Sequence, residues 1–236
     1  MNNKVCKQFH ERTYKQYGFK AQRLYPNEEL LRFVGRNFFN LSQAKRKQIK
    51  ILETGCGSGA NLWMIAKEGF DAYGIDISKE GIKLAKKMMT HWQTKAHLTV
   101  GDIIQLPYQE NQFDAVCDVL ASFCLNLEKF NLYLDQVHKV LKPGGKFFSY
   151  TPGTKSDTFI KYKPSTKIDK YTLNGIKRKT APFYGQNFPF RFTSVDNYTK
   201  LLIKHGFEVT YSETIMRTYR NHKEKFELIT ITAQKI

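Results

Sequence analysis

From position 49 onward, short apolar runs alternate with longer stretches of helical period. Ile49, Ile51 and Leu52 open the first run, which predicts a strand at about 49–53 and a helix at about 59–68. The pattern then repeats: strand 71–75, helix 79–92, strand 97–100, strand 113–120 and helix 128–140. Pro143-Gly144-Gly145 predicts a turn before a fifth strand at 146–150. Ser194 reads as the N-cap of a helix running to about 205, with Gly206 as its stop. Two closing strands, 207–218 and 226–233, predict a C-terminal antiparallel hairpin. Strands alternating with helices predict a doubly wound α/β sheet of seven strands, mostly parallel.

Two segments break the alternation. Residues 1–48 read as a helical arm, amphipathic in part. Pro26 suits the first turn of a helix, with Asn27, Glu28 and Glu29 behind it and Leu30, Leu31, Phe33 and Val34 on an apolar face. Residues 151–193 are rich in Lys, Tyr, Phe, Pro and Thr and show little periodicity. The segment is too long for an ordinary connection. Its many aromatics argue against disorder. It is expected to be a cap inserted after the fifth strand of a domain spanning 49–236.

Length and composition narrow the classes. A chain of 236 residues fits one large domain with an insertion. It has no apolar stretch of membrane-spanning length, and the first twenty residues are polar, without the apolar centre of a signal peptide. Cys6, Cys56, Cys117 and Cys124 are scattered, which fits free thiols in a reducing cytoplasm better than disulfides. The six histidines show no ligand spacing, so no metal is expected.

Charge is unevenly placed. The formal net charge is +17. Residues 1–50 carry +9 and residues 151–191 carry +7, while residues 51–150 carry −1. A positive field over arm and cap would favour an anionic small molecule. A nucleic acid is the alternative partner, though lysine outnumbers arginine, which weakens bidentate phosphate recognition.

The densest chemistry lies in IKILETGCGSGANLWMIAKEGFDAYGIDIS. Glu53 ends the first apolar run, Gly55, Gly57 and Gly59 follow at alternate positions, and Asp76 ends the second run. This is strand, glycine loop, helix, strand, acid. A loop without Cβ atoms lets a ligand approach the backbone. An acid 23 residues beyond Glu53 stands where a carboxylate meets ribose hydroxyls. Gly55, Gly57 and Ala60 also satisfy G-x-G-x-x-A, so an NAD(P)-dependent oxidoreductase is an alternative. Glu53 argues against it: a carboxylate sits poorly beside a pyrophosphate but suits a ligand bearing an ammonium, such as S-adenosylmethionine.

These motifs resemble those of the class I S-adenosylmethionine-dependent methyltransferases, nearest to the small-molecule group that includes the ubiquinone/menaquinone-type enzymes. ETGCGSG resembles their glycine motif, GIDIS the second motif, GDIIQLPYQENQFDAVCDVLAS the third and fourth strands, and VLKPGGKFFSYTPG the fifth. The resemblance runs from about 49 to 153. It implies a Rossmann-like fold and S-adenosylmethionine as cofactor. It implies Glu53, Gly55, Cys56 and Gly57 around the methionine part, Asp76 on the ribose, and Ile77 against the adenine. Asp102 would accept from the adenine amine, or else serve as a helix N-cap, with Ile103 offering its N–H to the ring. Asp118 and Val119 would lie beneath the methionine and the transferred methyl, Asp118 either hydrogen-bonded at the strand end or facing the site. Tyr17 and Arg23, in a cluster with Tyr14 and Tyr25, would grip the cofactor carboxylate. Tyr184 is a candidate for substrate contact. His10, Tyr17, His138 and Asp118 qualify by type as a general base, and no motif selects one. The expected reaction is methyl transfer to an O, N or C atom of a small anionic metabolite, with RNA as the alternative acceptor.

Overall fold

The computed structural model describes residues 2–236. The chain forms α1 (Asn2–Tyr17), α2 (Glu28–Phe38), α3 (Gln43–Arg46), β1 (Lys50–Thr54), α4 (Leu62–Lys67), β2 (Asp71–Asp76), α5 (Lys79–His91), β3 (His97–Val100) and β4 (Phe113–Val119). There follow α6 (Leu127–Val140), β5 (Leu141–Pro152), α7 (Asp157–Ile160), β6 (Thr172–Leu173), β7 (Phe190–Arg191), α8 (Val195–Lys204), β8 (Phe207–Tyr219) and β9 (Glu224–Lys235).

Seven strands make one sheet in the order β3-β2-β1-β4-β5-β9-β8. The first five run parallel, and β9 pairs antiparallel with both β5 and β8. Strand order reverses between β1 and β4. In doubly wound sheets the crevice outside the carboxyl ends of the strands at such a switch point is where ligands bind.

Successive strand residues face opposite sides of the sheet, so Ile51 and Leu52 enter two separate cores. On one face Phe33 of α2 stacks on Phe148 of β5, ring centroids 4.9 Å apart. The 1–48 segment therefore supplies part of the sheet's own core through α2. On the other face Phe130, Tyr133 and Leu134 of α6 and Tyr198 and Leu202 of α8 cover Leu52, Val116 and Phe147.

Local chemistry moves several boundaries from their expected places. Asn27, not Pro26, meets the helix: its side chain accepts from the Leu30 N–H, so α2 begins at Glu28 and Pro26 lies outside it. Helix α4 begins only at Leu62, because Gly59, at its expected start, takes a left-handed φ of 82° that a helix cannot include. β5 begins at Leu141. Leu141 pairs with Phe113 and Lys146 with Ala115, so the Pro-Gly-Gly segment is a bulge within the strand rather than a turn before it.

The cap region folds on its aromatics. Phe188, Phe190 and Phe192 are buried, Phe190 lies 4.5 Å from Phe123 between ring centroids, and Phe192 lies 6.2 Å from Phe226 of β9. A buried ion pair fastens the same region to β9: Arg178 Nε donates to Glu224 at 3.0 Å, and the hydroxyls of Thr158 and Thr180 donate to the same carboxylate. Among the described residues, no helix is long and apolar enough to cross a membrane.

Candidate active site

β1, β2 and β4 end at the same edge of the sheet, and two adjoining cavities open there. The smaller, of about 100 Å³, is lined by Asp76, Ile77, Asp102 and Ile103 from below and by Cys6, His10 and Tyr14 of α1 from above. The larger, of about 340 Å³, is lined by Glu53, Cys56, Gly57, Asn61 and Val119, by Arg23 of the arm, and by Phe183 and Gln186 of the cap. Gly55, His10, Tyr14, Leu120 and Phe123 line both.

The loop after β1 is held by its neighbours. The N–H groups of Gly55 and Cys56 donate to the Ile75 carbonyl at 2.8 and 3.0 Å. A Cβ on Gly55 would come 2.2 Å from the Ala121 Cβ, so Ala121, two residues beyond β4, fits only against a glycine. Asp76 accepts from the Gly57 N–H at 2.9 Å and from the Ser78 N–H at 2.8 Å. Burial pushes the Asp76 carboxyl upward, against the pull of those two N–H groups.

Glu53 is buried in the site with one oxygen unmatched. It is 2% exposed, Asn61 Nδ2 donates to its Oε1, and its Oε2 has no hydrogen-bond partner. Burial pushes its carboxyl up to about 8, although Asn61 and the charge of Arg23 oppose the shift. A buried carboxylate oxygen without a donor is costly. A cationic partner at Oε2 would remove that cost.

Helix α1 forms the roof. Cys6, His10 and Tyr14 recur every fourth residue, which puts them on one helix face. Glu11 holds the helix down by accepting a hydrogen bond from the Ser78 hydroxyl. Burial alone would lower the His10 imidazole, but its hydrogen bond with Cys6 and the nearby negative charges outweigh burial, and the net shift is upward.

Most of the residues singled out in the sequence converge on these cavities: Glu53, Gly55, Cys56, Gly57, Asp76, Ile77, Asp102, Ile103, Val119 and Arg23. Asp102 also caps its own turn, accepting from the Ile104 N–H at 3.2 Å. Two do not converge. Asp118 lines neither cavity. The strand pleat turns it opposite to Val119, and its carboxylate accepts from the N–H groups of Ala121 and Ser122, both at 3.0 Å, and from the hydroxyls of Ser122 and Ser149. It braces the loop after β4 instead. Tyr17 ends α1 and is 50% exposed, outside both linings; Tyr14, three residues earlier, lines both cavities. Tyr25 and Tyr184 are likewise exposed, and it is Phe183, beside Tyr184, that enters the larger cavity. His138 packs at the corner before β8, where a Cβ on Gly206 would come 2.8 Å from its Nε2. Cys6, Asn61, Phe123 and Gln186 were not foreseen as site residues. Only the four-residue spacing on α1 marked any of these in the sequence.

Comparison with known proteins finds a methyltransferase domain in the same part of the chain. Residues 51–145 match the family described as "Methyltransferase domain". The chain is similar to a fatty-acid O-methyltransferase of Mycolicibacterium smegmatis, 32% identical over 112 residues, covering 47% of this chain and 39% of that protein. It is also similar to a demethylmenaquinone methyltransferase of Tropheryma whipplei, 35% identical over 99 residues, covering 41% of this chain and 39% of the relative. The matched part thus spans about two fifths of these relatives. Among solved structures, an S-adenosylmethionine-dependent methyltransferase of Methanosarcina mazei superposes with a TM-score of 0.66 at 22% identity, covering 79% of this chain and 92% of that one. The 1,6-didemethyltoxoflavin-N1-methyltransferase of Burkholderia thailandensis, solved with its substrate and S-adenosylhomocysteine, gives 0.64 at 14% identity, covering 100% of this chain and 90% of that one. Residues 51–145 therefore match a methyltransferase domain, within a chain that has the Rossmann-like fold of the solved S-adenosylmethionine-dependent methyltransferases it is similar to.

Proposed function

We propose that the chain transfers a methyl group from S-adenosylmethionine to a small molecule. The observation that carries this reading is the unpartnered Glu53 Oε2, buried at the switch point beside the glycine loop. An ammonium group fits it, and pairing with a cation would hold Glu53 ionised at neutral pH. Asp76 and Asp102 line the adjoining cavity, where two acids suit a ribose and an exocyclic amine. Arg23 supplies the complementary charge for a carboxylate. Asp118 and Tyr17 have no direct part in this reading.

S-adenosylmethionine brings an electrophilic methyl on a cationic sulfur, so the protein's task is to hold an acceptor in line with it. The cofactor would reach Glu53 and Arg23 in the larger cavity, and the remainder of that cavity is the place for the acceptor. Phe9, Phe123, Phe183 and Val119 offer apolar walls, while His10 and Gln186 offer polar groups. His10 lines both cavities, which makes it the general base we favour for an O–H or N–H acceptor. Lysines 155, 161, 163, 167, 170, 177 and 179 of the cap segment are all exposed and line neither cavity. They would act by steering an anionic acceptor, not by seating it. The acceptor we expect has an apolar body and a negatively charged end. The relatives' named acceptors, a fatty acid and a demethylmenaquinone, both have large apolar bodies.

Isothermal titration with S-adenosylmethionine, S-adenosylhomocysteine and NADH tests the cofactor. Binding of the first two in the micromolar range, and none of NADH, is the expected result. Binding of NADH alone would overturn it. Radiolabelled methyl transfer to a panel of fatty acids, phenols and hydroquinones then tests the acceptor class.

A further inference from the structure

Cys6, His10 and Cys124 form a cluster to which the proposed methyl transfer gives only His10 a part. Cys6 and His10 lie one turn apart on α1, and Cys124 lies in the single turn after β4. All three line the smaller cavity. The two thiols are in hydrogen-bond contact although 118 residues separate them, and His10 is hydrogen-bonded to Cys6 as well. The Cys124 thiol also donates to the Ala121 carbonyl oxygen at 3.1 Å. The contacts with Cys124 and with His10 outweigh burial and bring the Cys6 thiol down to about 6, which favours a thiolate at neutral pH. Cys56 and Cys117 are held protonated by burial.

We propose that Cys6 and Cys124 are an oxidisable dithiol site that takes a hydroperoxide and closes to a disulfide fastening α1 across the cofactor cavity. The Cys6 thiolate attacks one peroxide oxygen. The S–O bond forms, the O–O bond breaks, and the departing oxygen takes a proton from the His10 imidazolium. With hydrogen peroxide as oxidant, one water leaves and Cys6 becomes a sulfenic acid, oxidised by two electrons. The Cys124 sulfur then attacks the Cys6 sulfur. The S–S bond forms, the S–O bond breaks, and the hydroxyl leaves with the Cys124 proton as a second water. A thiol reductant reverses the closure by exchange. In the reduced protein, Tyr14 and the Glu11–Ser78 hydrogen bond hold the roof by weak contacts that can open. A covalent tie between residues 6 and 124 removes that opening and traps the cavity in whatever state it held.

The effect on ligand exchange rests on the S-adenosylmethionine reading of the cavity; the chemistry of the thiols does not. Reduced, ligand-free protein is treated with a small excess of hydrogen peroxide, then digested without reductant and mapped by mass spectrometry. A linked pair of peptides containing Cys6 and Cys124 is expected. Association of S-adenosylhomocysteine, followed by stopped flow, should slow by about tenfold or more and recover with dithiothreitol. Cys124→Ser, compared with its own reduced form, should lose the slowing. Thiol loss without that linked pair overturns the proposal, and so does a linked protein that takes up S-adenosylhomocysteine at the reduced rate. Failure of the reduced protein to bind S-adenosylhomocysteine would overturn the cofactor reading alone, and the peptide map would still judge the dithiol.

Discussion

Tyr14 lies directly over Gly57: a Cβ built on that glycine would come 2.6 Å from the tyrosine oxygen. The roof and the glycine loop are therefore fitted to each other, residue against residue. Gly57 also holds a left-handed φ of 51°, which costs an ordinary residue roughly 1 kcal/mol. Gly57→Ala should weaken S-adenosylhomocysteine binding by at least about tenfold, from strain and from displacement of α1. Tyr14→Phe in the same chain removes the close oxygen and should restore part of that loss. Calorimetric titration of the single and double variants checks both, and equal affinities would disprove the fit.

Asp76 joins three parts of the site through one carboxylate. Asp76→Asn keeps its size but removes the charge that strengthens its hydrogen bonds to Gly57 and Ser78. Affinity for S-adenosylmethionine should fall by about tenfold or more while the melting temperature changes little. Unchanged affinity would remove Asp76 from the ribose site.

Glu53 makes stability and binding depend on pH in opposite directions. Its carboxyl is raised to about 8 in the folded protein, so between its ordinary range and pH 8 the folded state holds a proton that the unfolded state has lost. Stability of the ligand-free protein from this group is therefore present at low pH and is lost as pH rises toward 8. Glu53→Gln should flatten that decline, as thermal melts from pH 5 to 8 would reveal. A cationic ligand reverses the preference. Titration of S-adenosylmethionine at pH 7 in buffers of different ionisation enthalpy should show proton release in the wild type and little in Glu53→Gln. Identical proton counts in the two proteins would rule out pairing of Glu53 with the ammonium.

The attachment of the cap rests on Glu224, whose side chain is 0% exposed and receives Arg178, Thr158 and Thr180 together. Glu224→Ala leaves those donors unmatched, though Arg178 can reach water. A loss of about 2 kcal/mol is expected, or roughly 4–8 °C in melting temperature. Calorimetry measures it, and a change below about 1 °C would mean that the cap is held by its phenylalanines alone.

What the sequence disclosed follows from the range of the forces involved. The glycine loop and its two acids were legible because a turn, a strand end and a neighbouring strand end are local matters. The sheet was legible because burial on two faces makes each central strand a short apolar run between stretches of helical period. The cap was not, because Phe188, Phe190 and Phe192 are ordered by Phe123 and Phe226, which lie far away in the chain. Asp118 could not be oriented from the sequence, since the choice between facing the cavity and bracing Ala121 and Ser122 depends on how β4 is set in the sheet. The roof was half legible. A helical arm was expected over residues 1–48, but nothing in the pattern gave the surface that Cys6, His10 and Tyr14 cover.

That roof has an energetic consequence. His10 and Tyr14 line both cavities, so on the proposed reading a cofactor that spans the two and an acceptor beside it in the larger would press against the same helix. An α1 that settles on the first occupant would leave less of that ordering for the second. The two affinities are then bound by linkage: whatever factor the cofactor adds to acceptor binding, the acceptor adds to cofactor binding.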